Sequence, residues 1–215
     1  GTSQKIKQKR GRKAPLFLND AFVLELLYKI WYNISRKSIR RKEISMKSVA
    51  MAFYNGAKYI DEQIRSILDN MEETDELIIS VDDASDGSEA ILEDWVQNDQ
   101  RIRIIKGPGK GVVKNFENAF KHCRGEIIFL SDQDDVWKPD KIYLTLQKME
   151  SLEARYGDKI PILVHSDLSV ADSNLEMIAE SFFQYADIPK RIVLNQLMVQ
   201  NSVTGCTVMI NRCLQ

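Results

Sequence analysis

Residues 129–141 read FLSDQDDVWKPDK, and they join an apolar run to a dense group of acids. The apolar residues at 127–130 are typical of a buried strand. The chain then continues directly into Asp132, Asp134 and Asp135. Because like charges this close repel one another, we expect a cationic partner among these carboxylates.

Short apolar runs alternate with helical patterns on either side of this stretch. The runs that predict strands are residues 49–53, 77–81, 102–105, 127–130, 162–164 and 202–210. Apolar residues at helical spacing lie between most of them, over 57–70, 91–96, 113–120 and after Pro139. Such alternation indicates βαβ units, and therefore an α/β domain in which helices cover both faces of a parallel sheet.

Two acidic turns follow strands of this predicted sheet. Asp82 and Asp83 come after the second strand, and Asp132 and Asp134 come after the fourth. In open α/β sheets ligands bind at the carboxyl ends of the strands. We therefore expect the two acidic turns to face one cleft.

The spacing of Asp132 and Asp134 indicates a metal site. One residue separates them, so in an extended turn both side chains point to the same side. Carboxylate oxygens suit Mg²⁺ or Mn²⁺, and Mg²⁺ commonly takes one or two protein carboxylates while a substrate phosphate supplies further ligands. The interpretation is a metal that bridges the protein to a diphosphate. A solvated turn followed by a helix cap is the alternative that the spacing leaves open.

The net charge of −1 conceals two oppositely charged parts. Residues 1–47 hold 13 Lys and Arg against three Asp and Glu, a net charge of +10, and the remainder carries −11. This division predicts a basic N-terminal arm over residues 1–47 and a main domain over residues 48–215, each with its own partner.

The arm has a helical pattern with an apolar face over residues 20–37. One interpretation is a helix docked on the main domain, and the other is a basic amphipathic helix on an anionic membrane surface, bound through residues 1–42. The apolar segment at 21–34 is too short to span a bilayer. Nucleic acid has less support as a partner, because nothing resembles a recognition helix or an aromatic stacking surface.

The cysteines Cys123, Cys206 and Cys213 are odd in number and show no CxxC spacing. This pattern argues against a disulfide framework and against a zinc site. We therefore expect a reducing, cytoplasmic setting, peripheral at the inner membrane face if the arm binds lipid.

Five segments together resemble a known family. They are SVAMAFYNGAKYIDEQIRSIL at 48–68, ISVDDASDGS at 79–88, GVVKNFENAF at 111–120, LSDQDDVWKPDKI at 130–142 and NSVTGCTVMINR at 201–212. From Ser48 onward the chain resembles glycosyltransferase family 2, the inverting enzymes of GT-A fold, and it is most similar to the rhamnosyltransferase-like branch. The resemblance implies a Rossmann-like fold with a mixed, mainly parallel sheet flanked by helices.

The resemblance also implies roles for individual residues. Asp83 would accept a hydrogen bond from the pyrimidine ring, Asp134 would bind Mn²⁺ or Mg²⁺ directly, and Asp132 would lie beside it, nearer the ribose. Lys114 stands where many relatives have Arg, next to an Asn at the family's position. The complete set of expected donor-binding residues is Ala52, Phe53, Tyr54, Asp83, Asn115, Asp132 and Asp134.

On the acceptor side the resemblance implies positions for Thr204, Gly205 and Cys206, and for Cys206 we favour the role of a small buried apolar side chain. The catalytic base of the family lies beyond the TGCT-like strand, so we expect it beyond Gln215. Asp187 is a weak candidate within the sequence.

The implied reaction is transfer of a sugar, with inversion, from a nucleoside diphosphate sugar to a glycan or lipid-linked acceptor in surface polysaccharide synthesis. The expected donor is dTDP-rhamnose or a UDP-sugar. Two alternatives remain: a sugar nucleotidyltransferase, and a nucleotide-binding module without turnover. The first usually has a Gly- and Arg-rich phosphate loop after the first strand, and FYNGAKYI at 53–60 does not supply one.

Overall fold

The computed structural model of the protein describes residues 46–189 and 201–214. Its central sheet contains β1 (Lys47–Phe53), β2 (Glu76–Val81), β3 (Ile102–Lys106), β4 (Ile127–Ser131), β5 (Leu163–Val164) and β8 (Met209–Asn211). The strand order is β3-β2-β1-β4-β8-β5. The first four strands are mutually parallel, whereas β8 is antiparallel to β4 and to β5. The expected α/β fold with a mixed, mainly parallel sheet is confirmed.

Four helices flank this sheet, and they are α1 (Ile60–Leu68), α2 (Ser88–Asn98), α3 (Val112–Lys121) and α4 (Lys141–Tyr156). Alternate residues of a strand face opposite sides of a sheet. Met51 and Phe53 of β1 therefore pack into one core with residues of α1, α2 and α4. Ala50 packs into a second core with Ala119 of α3. Both faces are covered, which explains why the strands read as continuous apolar runs.

A small two-stranded sheet follows β5. It consists of β6 (Val170–Ala171) and β7 (Met177–Ala179), which pair in antiparallel fashion, and α5 (Phe182–Tyr185) comes next. The side chain of Ser181 caps this short helix by accepting a hydrogen bond from the backbone N–H of Gln184 at 3.1 Å.

The strand predicted over residues 202–210 is wrong in its first seven residues. The N–H of Thr207 bonds to the carbonyl of Thr204, and the N–H of Val208 bonds to the carbonyl of Gly205, each at 3.0 Å. These bonds close a 3₁₀ turn over Gly205–Thr207, and the strand begins only at Met209.

The helical extension predicted for the N-terminal arm lies outside the described residues, and the domain boundary after residue 47 stays a prediction. The structure places Lys47 inside β1, where its ammonium lies 3.0 Å from the buried Asp75 carboxylate. Among residues 46–189 and 201–214, no helix has both the length and the apolar character that a membrane crossing requires.

Candidate functional site

The carboxyl ends of β1, β2 and β4 meet at one edge of the sheet. Phe53 pairs with Val81, and Met51 pairs with Ser131, so the three neighbouring strands end close together. The residues that follow them include Tyr54, Asp82 and Asp132. Both acidic turns therefore leave the sheet from the same edge.

The two acids after β2 have different surroundings. Asp82 is buried, and its Oδ1 accepts a hydrogen bond of 2.8 Å from the backbone N–H of Gly109. The backbone N–H of Asp82 donates to the carbonyl of Phe53 at 3.0 Å. Asp83 is exposed, and its carboxylate has no hydrogen bond or ion pair with the described part of the chain. Asp83 is thus free to accept a hydrogen bond from a ligand.

Side chains of α3 and of the loop after β1 fix the ends of β1 and β2. The Nδ2 of Asn115 donates to the carbonyl of Phe53 at 3.1 Å, while its buried Oδ1 has no partner among the described residues. Asn55, which has a φ of 48°, accepts a hydrogen bond from the N–H of Ser85 at 2.8 Å. Lys114 bonds Glu117 along α3. Its ammonium is therefore engaged with a neighbour on its own helix.

The apolar residues expected at the donor pocket divide into two groups. The side chains of Ala52 and Phe53 are buried in the domain, with 4% and 0% of their surface exposed. Tyr54 is 58% exposed at the edge. Of these three residues, Tyr54 alone offers its side chain to a ligand.

The acidic turn after β4 gathers three potential metal ligands. Ligand atoms of Asp132, Asp135 and Cys206 all lie within 4.8 Å of one another. Asp134, the expected direct ligand, is exposed and stands outside that group. The cluster therefore contains Asp132 of the predicted pair, together with Asp135 and Cys206.

Burial and mutual repulsion alter the protonation of this group. Burial, with the neighbouring carboxylates of Asp135 and Asp134, raises the pKa of Asp132 to about 6. Burial, with the nearby Asp135 carboxylate, raises the pKa of the Cys206 thiol to about 12. Without a bound cation, ionisation of these buried and closely spaced carboxylates is energetically unfavourable.

Lys141 supplies part of the cationic partner that the sequence requires. Its ammonium donates to the carbonyl of Cys206 at 2.7 Å and lies 3.9 Å from the centre of the Trp137 ring. It also acts against burial by lowering the pKa of Asp132. Burial lowers the pKa of Lys141 itself to about 8. One ammonium of this kind offsets only part of the charge of three carboxylates.

The donor set fits a divalent cation. Asp135 has a buried carboxylate oxygen, Oδ2, without a hydrogen-bond partner among the described residues. A buried carboxylate oxygen is costly unless it is bonded or coordinates a metal. Two carboxylates suit Mg²⁺ or Mn²⁺, and a thiolate would favour a softer ion.

A cleft of about 540 Å³ opens beside this turn. Asp134, Asp135 and Thr207 form part of one wall, and Leu175 and Glu180 of the β6–β7 segment form part of another. Thr204 and Gly205, expected on the acceptor side, immediately precede Cys206 and Thr207, which line the cleft. Asp187 follows α5 and is not among the residues that line it.

Sequence reasoning named Asp82 and Asp135 only as members of the two acidic turns, and it gave Lys141 no role. Asp135 carried a signal, because it adjoins Asp134 directly. Cys206 is buried, as expected for a small apolar side chain, but its proximity to the acids arises only through folding. It lies 71 positions from Asp135 in the sequence.

An α/β domain with an acidic edge at the ends of its parallel strands has the framework of a nucleotide-binding enzyme. The profile of Glycosyl transferase family 2 matches residues 48–157. The chain belongs to that family, as its resemblance implied.

Known proteins agree with this assignment. TuaG of Bacillus subtilis (strain 168), named as a glycosyltransferase of teichuronic acid biosynthesis, is 27% identical over 77% of this chain and 62% of its own length. The dTDP-rhamnosyl transferase RfbG of Shigella flexneri is 36% identical over 43% of this chain and 34% of its own length. The crystal structure of S. aureus TarS 1-349 with UDP-GlcNAc superposes with a TM-score of 0.52 at 21% identity, covering 78% of this chain and 45% of that one. The TarS similarity supports the GT-A fold, and this chain spans less than two thirds of each of these proteins.

Proposed function

We propose that the protein is a metal-dependent, inverting glycosyltransferase that transfers a sugar from a nucleoside diphosphate sugar to a glycan or lipid-linked acceptor in surface polysaccharide synthesis. The observation that carries the proposal is the position of the acidic turn. Its residues Asp134 and Asp135 line the cleft of about 540 Å³, and the turn leaves the same edge of the sheet as the turn that holds the exposed Asp83. A sugar diphosphate bound along this edge would present its sugar to the cleft.

On the donor side, Asp83 would accept the N–H of a pyrimidine ring, and Tyr54 would contact the nucleotide with its exposed ring. Asn115 contributes in two ways: its Nδ2 holds the end of β1, and its Oδ1 is an acceptor without a partner among the described residues. Ala52 and Phe53 support this pocket from the core.

Asp132, Asp134 and Asp135 are the residues that would hold the metal, with Cys206 beside them. A bound divalent ion would offset the charge that develops on the diphosphate leaving group. Asp134 is exposed at the cleft and would meet the phosphates, whereas Asp132 and Asp135 are less exposed. Lys141 would hold Cys206 and the turn in place through its bond to the Cys206 carbonyl.

The acceptor would occupy the cleft, with its hydroxyl directed at the sugar. The wall formed by Thr207 and the preceding Thr204 and Gly205 would face it, opposite the β6–β7 segment. A carboxylate base must remove the hydroxyl proton, and general-base catalysis of this kind typically contributes about 10²- to 10⁴-fold.

The names of two relatives support a choice of sugar donor and of acceptor. The name of RfbG supports dTDP-rhamnose as the donor, and a UDP-sugar is the second candidate. The name of TuaG supports an acceptor in a cell-surface polysaccharide.

Calorimetric titration with UDP and dTDP, in Mn²⁺ and in chelator, tests the proposal. We expect tighter binding in Mn²⁺, and we expect Asp132→Ala, Asp134→Ala and Asp135→Ala each to reduce that difference. Glu180→Ala is the matched control, because this exposed acid lines the same cleft outside the metal group. Equal affinity in Mn²⁺ and in chelator would remove the metal from the mechanism.

Transfer is measured separately, with the donor that binds most tightly and a panel of glycan acceptors. We expect a product whose anomeric configuration is opposite to that of the donor. Nucleotide binding without transfer to any acceptor would favour either a nucleotide-binding module or a base beyond Gln215, the position that the family resemblance implies.

A further inference from the structure

The buried face of α1 contains polar residues among its isoleucines. Gln63 is 0% exposed, Asn70 just beyond the helix is 2% exposed, and Ser66 lies between them, partly buried. We call these three residues the polar ridge. A buried polar side chain costs free energy unless it is hydrogen-bonded. The hydrogen-bond partners of the polar ridge therefore indicate its structural role.

Gln63 binds the start of the acidic turn. Its Nε2 donates to the Oγ of Ser131 at 2.7 Å and to the carbonyl of Asp132 at 2.9 Å. The Ser131 hydroxyl in turn donates to the carbonyl of Asp132 at 3.0 Å. The amide of Gln63 thus fixes the peptide group that follows Asp132.

Ser66 and Asn70 bind the other end of the same turn. The Oγ of Ser66 accepts the backbone N–H of Trp137 at 2.9 Å, and the Nδ2 of Asn70 donates to the carbonyl of Lys138 at 3.1 Å. Residues 132–137, which include Asp132, Asp134 and Asp135, are therefore held at both ends by α1 and the residue just beyond it.

Members of the polar ridge also hold one another. The Ser66 hydroxyl donates to the carbonyl of Gln63 at 2.9 Å, and the Nδ2 of Asn70 donates to the carbonyl of Ser66 at 2.9 Å. A network whose members satisfy each other is rigid. Rigidity matters at this turn, because its like-charged carboxylates repel one another and would otherwise spread apart.

We infer that the polar ridge of α1 is the positioning device of the acidic turn, with Gln63 the residue that sets Asp132. This inference rests on the proposed function, in which that turn holds a divalent metal and a diphosphate. Gln63 touches neither ligand and acts through the backbone of the turn.

Two variants of the polar ridge test the inference. Gln63→Leu removes both bonds to the start of the turn at nearly constant volume, and Ser66→Ala removes the acceptor of the Trp137 N–H with a smaller change. Hydrogen exchange of the backbone amides at 132–138 and Mn²⁺ affinity, from the electron paramagnetic resonance signal of the free ion, are measured on the full chain.

Two controls separate positioning from general destabilisation. Ile64→Val removes one methyl group from a fully buried residue of the same helix and leaves every hydrogen bond between the polar ridge and the turn in place. Gln147→Leu removes an exposed glutamine whose amide bonds Tyr143 within α4.

We expect Gln63→Leu to accelerate exchange at the start of the turn and to weaken Mn²⁺ binding about tenfold, the effect of losing a buried hydrogen-bond donor. Ser66→Ala should expose the Trp137 amide selectively. Ile64→Val, at a comparable loss of thermal stability, and Gln147→Leu should leave both measurements unchanged.

Exchange and Mn²⁺ affinity in Gln63→Leu that match those of Ile64→Val would overturn the inference. Failure of the proposed function looks different, because the parent chain itself would then bind nucleoside diphosphate equally well in Mn²⁺ and in chelator.

Discussion

The backbone N–H of Gly109 donates a 2.8 Å hydrogen bond to the carboxylate of Asp82, the residue directly before the exposed Asp83. The same loop approaches β2 through the N–H of Gly107, which donates to the carbonyl of Val81 at 2.7 Å. Residues 107–111 therefore border the edge of the sheet at which β2 ends, and the carboxylate of Asp82 holds them there through its bond to Gly109. The side chain of Asp83 is exposed at the same edge and takes no part in this contact.

Gly107→Ala should lower both stability and nucleotide affinity. A Cβ at this position would lie 2.7 Å from the Asp82 nitrogen and 2.8 Å from the Val81 carbonyl carbon, and nearer still to the Asp82 carboxylate. Because the backbone at residues 81–82 or at residue 107 must move to make room for the Cβ, we expect a loss of about 1–3 kcal/mol in the free energy of unfolding. Denaturant titration measures it. Gly205→Ala is the control, since a Cβ there meets nothing within 4 Å.

Asp83→Asn should weaken binding of UDP or dTDP by about 1–3 kcal/mol, the range for a hydrogen bond to a charged group. The melting temperature should not change, because Asp83 is exposed and bonds no described residue. Calorimetric titration gives the affinity. Glu89→Gln, an exposed acid in the first turn of α2, should bind as the parent does. If Asp83→Asn also binds as tightly as the parent, Asp83 does not read the base.

The strands were predictable to within two residues where both faces of the sheet are covered. Residues 127–130 are all apolar, residues 77–81 are apolar except for Ser80, and the structure extends each strand by one polar residue, Glu76 and Ser131. The segment at 202–210 mixes apolar residues with Ser, Thr and Gly, and the turn at Gly205 shortens its strand. Composition alone does not record a turn closed by backbone hydrogen bonds.

The site was predictable as a set of acids, and less so as a geometry. Alternation along the chain placed Asp83 and Asp134 at one edge, where both are exposed. The proximity of Cys206 to Asp135 depends on the antiparallel return of the chain beside β4, which no local pattern encodes. The burial of Gln63 was not predictable for another reason. A polar residue in an amphipathic helix is ordinarily assigned to the face that contacts solvent.

Thiol reactivity should separate the three cysteines. Cys213 is exposed, whereas Cys123 and Cys206 are buried. Burial raises the pKa of both buried thiols to about 12, so at neutral pH they stay protonated and are poor nucleophiles. We expect one thiol per chain to react rapidly with Ellman's reagent in the native protein, and three thiols to react after unfolding. Cys213→Ser should abolish the rapid phase, and a rapid phase that survives this change would contradict the assignment.

The basic arm should bind anionic vesicles. Residues 1–47 carry a net charge of +10, and each Lys or Arg near an anionic surface contributes on the order of 1 kcal/mol. Sedimentation with phosphatidylserine vesicles should fall when residues 1–18 are deleted and when salt is raised. Neutral phosphatidylcholine vesicles are the control. Unchanged sedimentation after the deletion would favour the docked-helix interpretation.

Asp132→Asn should stabilise the metal-free protein at about pH 8 and have little effect near pH 4. Burial and the carboxylates of Asp135 and Asp134 raise the pKa of Asp132 from 3.8 to about 6 in the folded state. A group whose pKa is raised by folding favours the folded state at low pH, and this contribution is lost as the pH rises through about 6. The Asn side chain of the variant does not ionise, so its folded state does not lose stability in this way as the pH rises. Melting temperatures across this pH range, in chelator, give the comparison, and a difference between parent and variant that is constant with pH would contradict the raised pKa. Addition of Mn²⁺ at about pH 8 should then reverse the order, because a metal that binds the ionised turn stabilises the parent more than the variant.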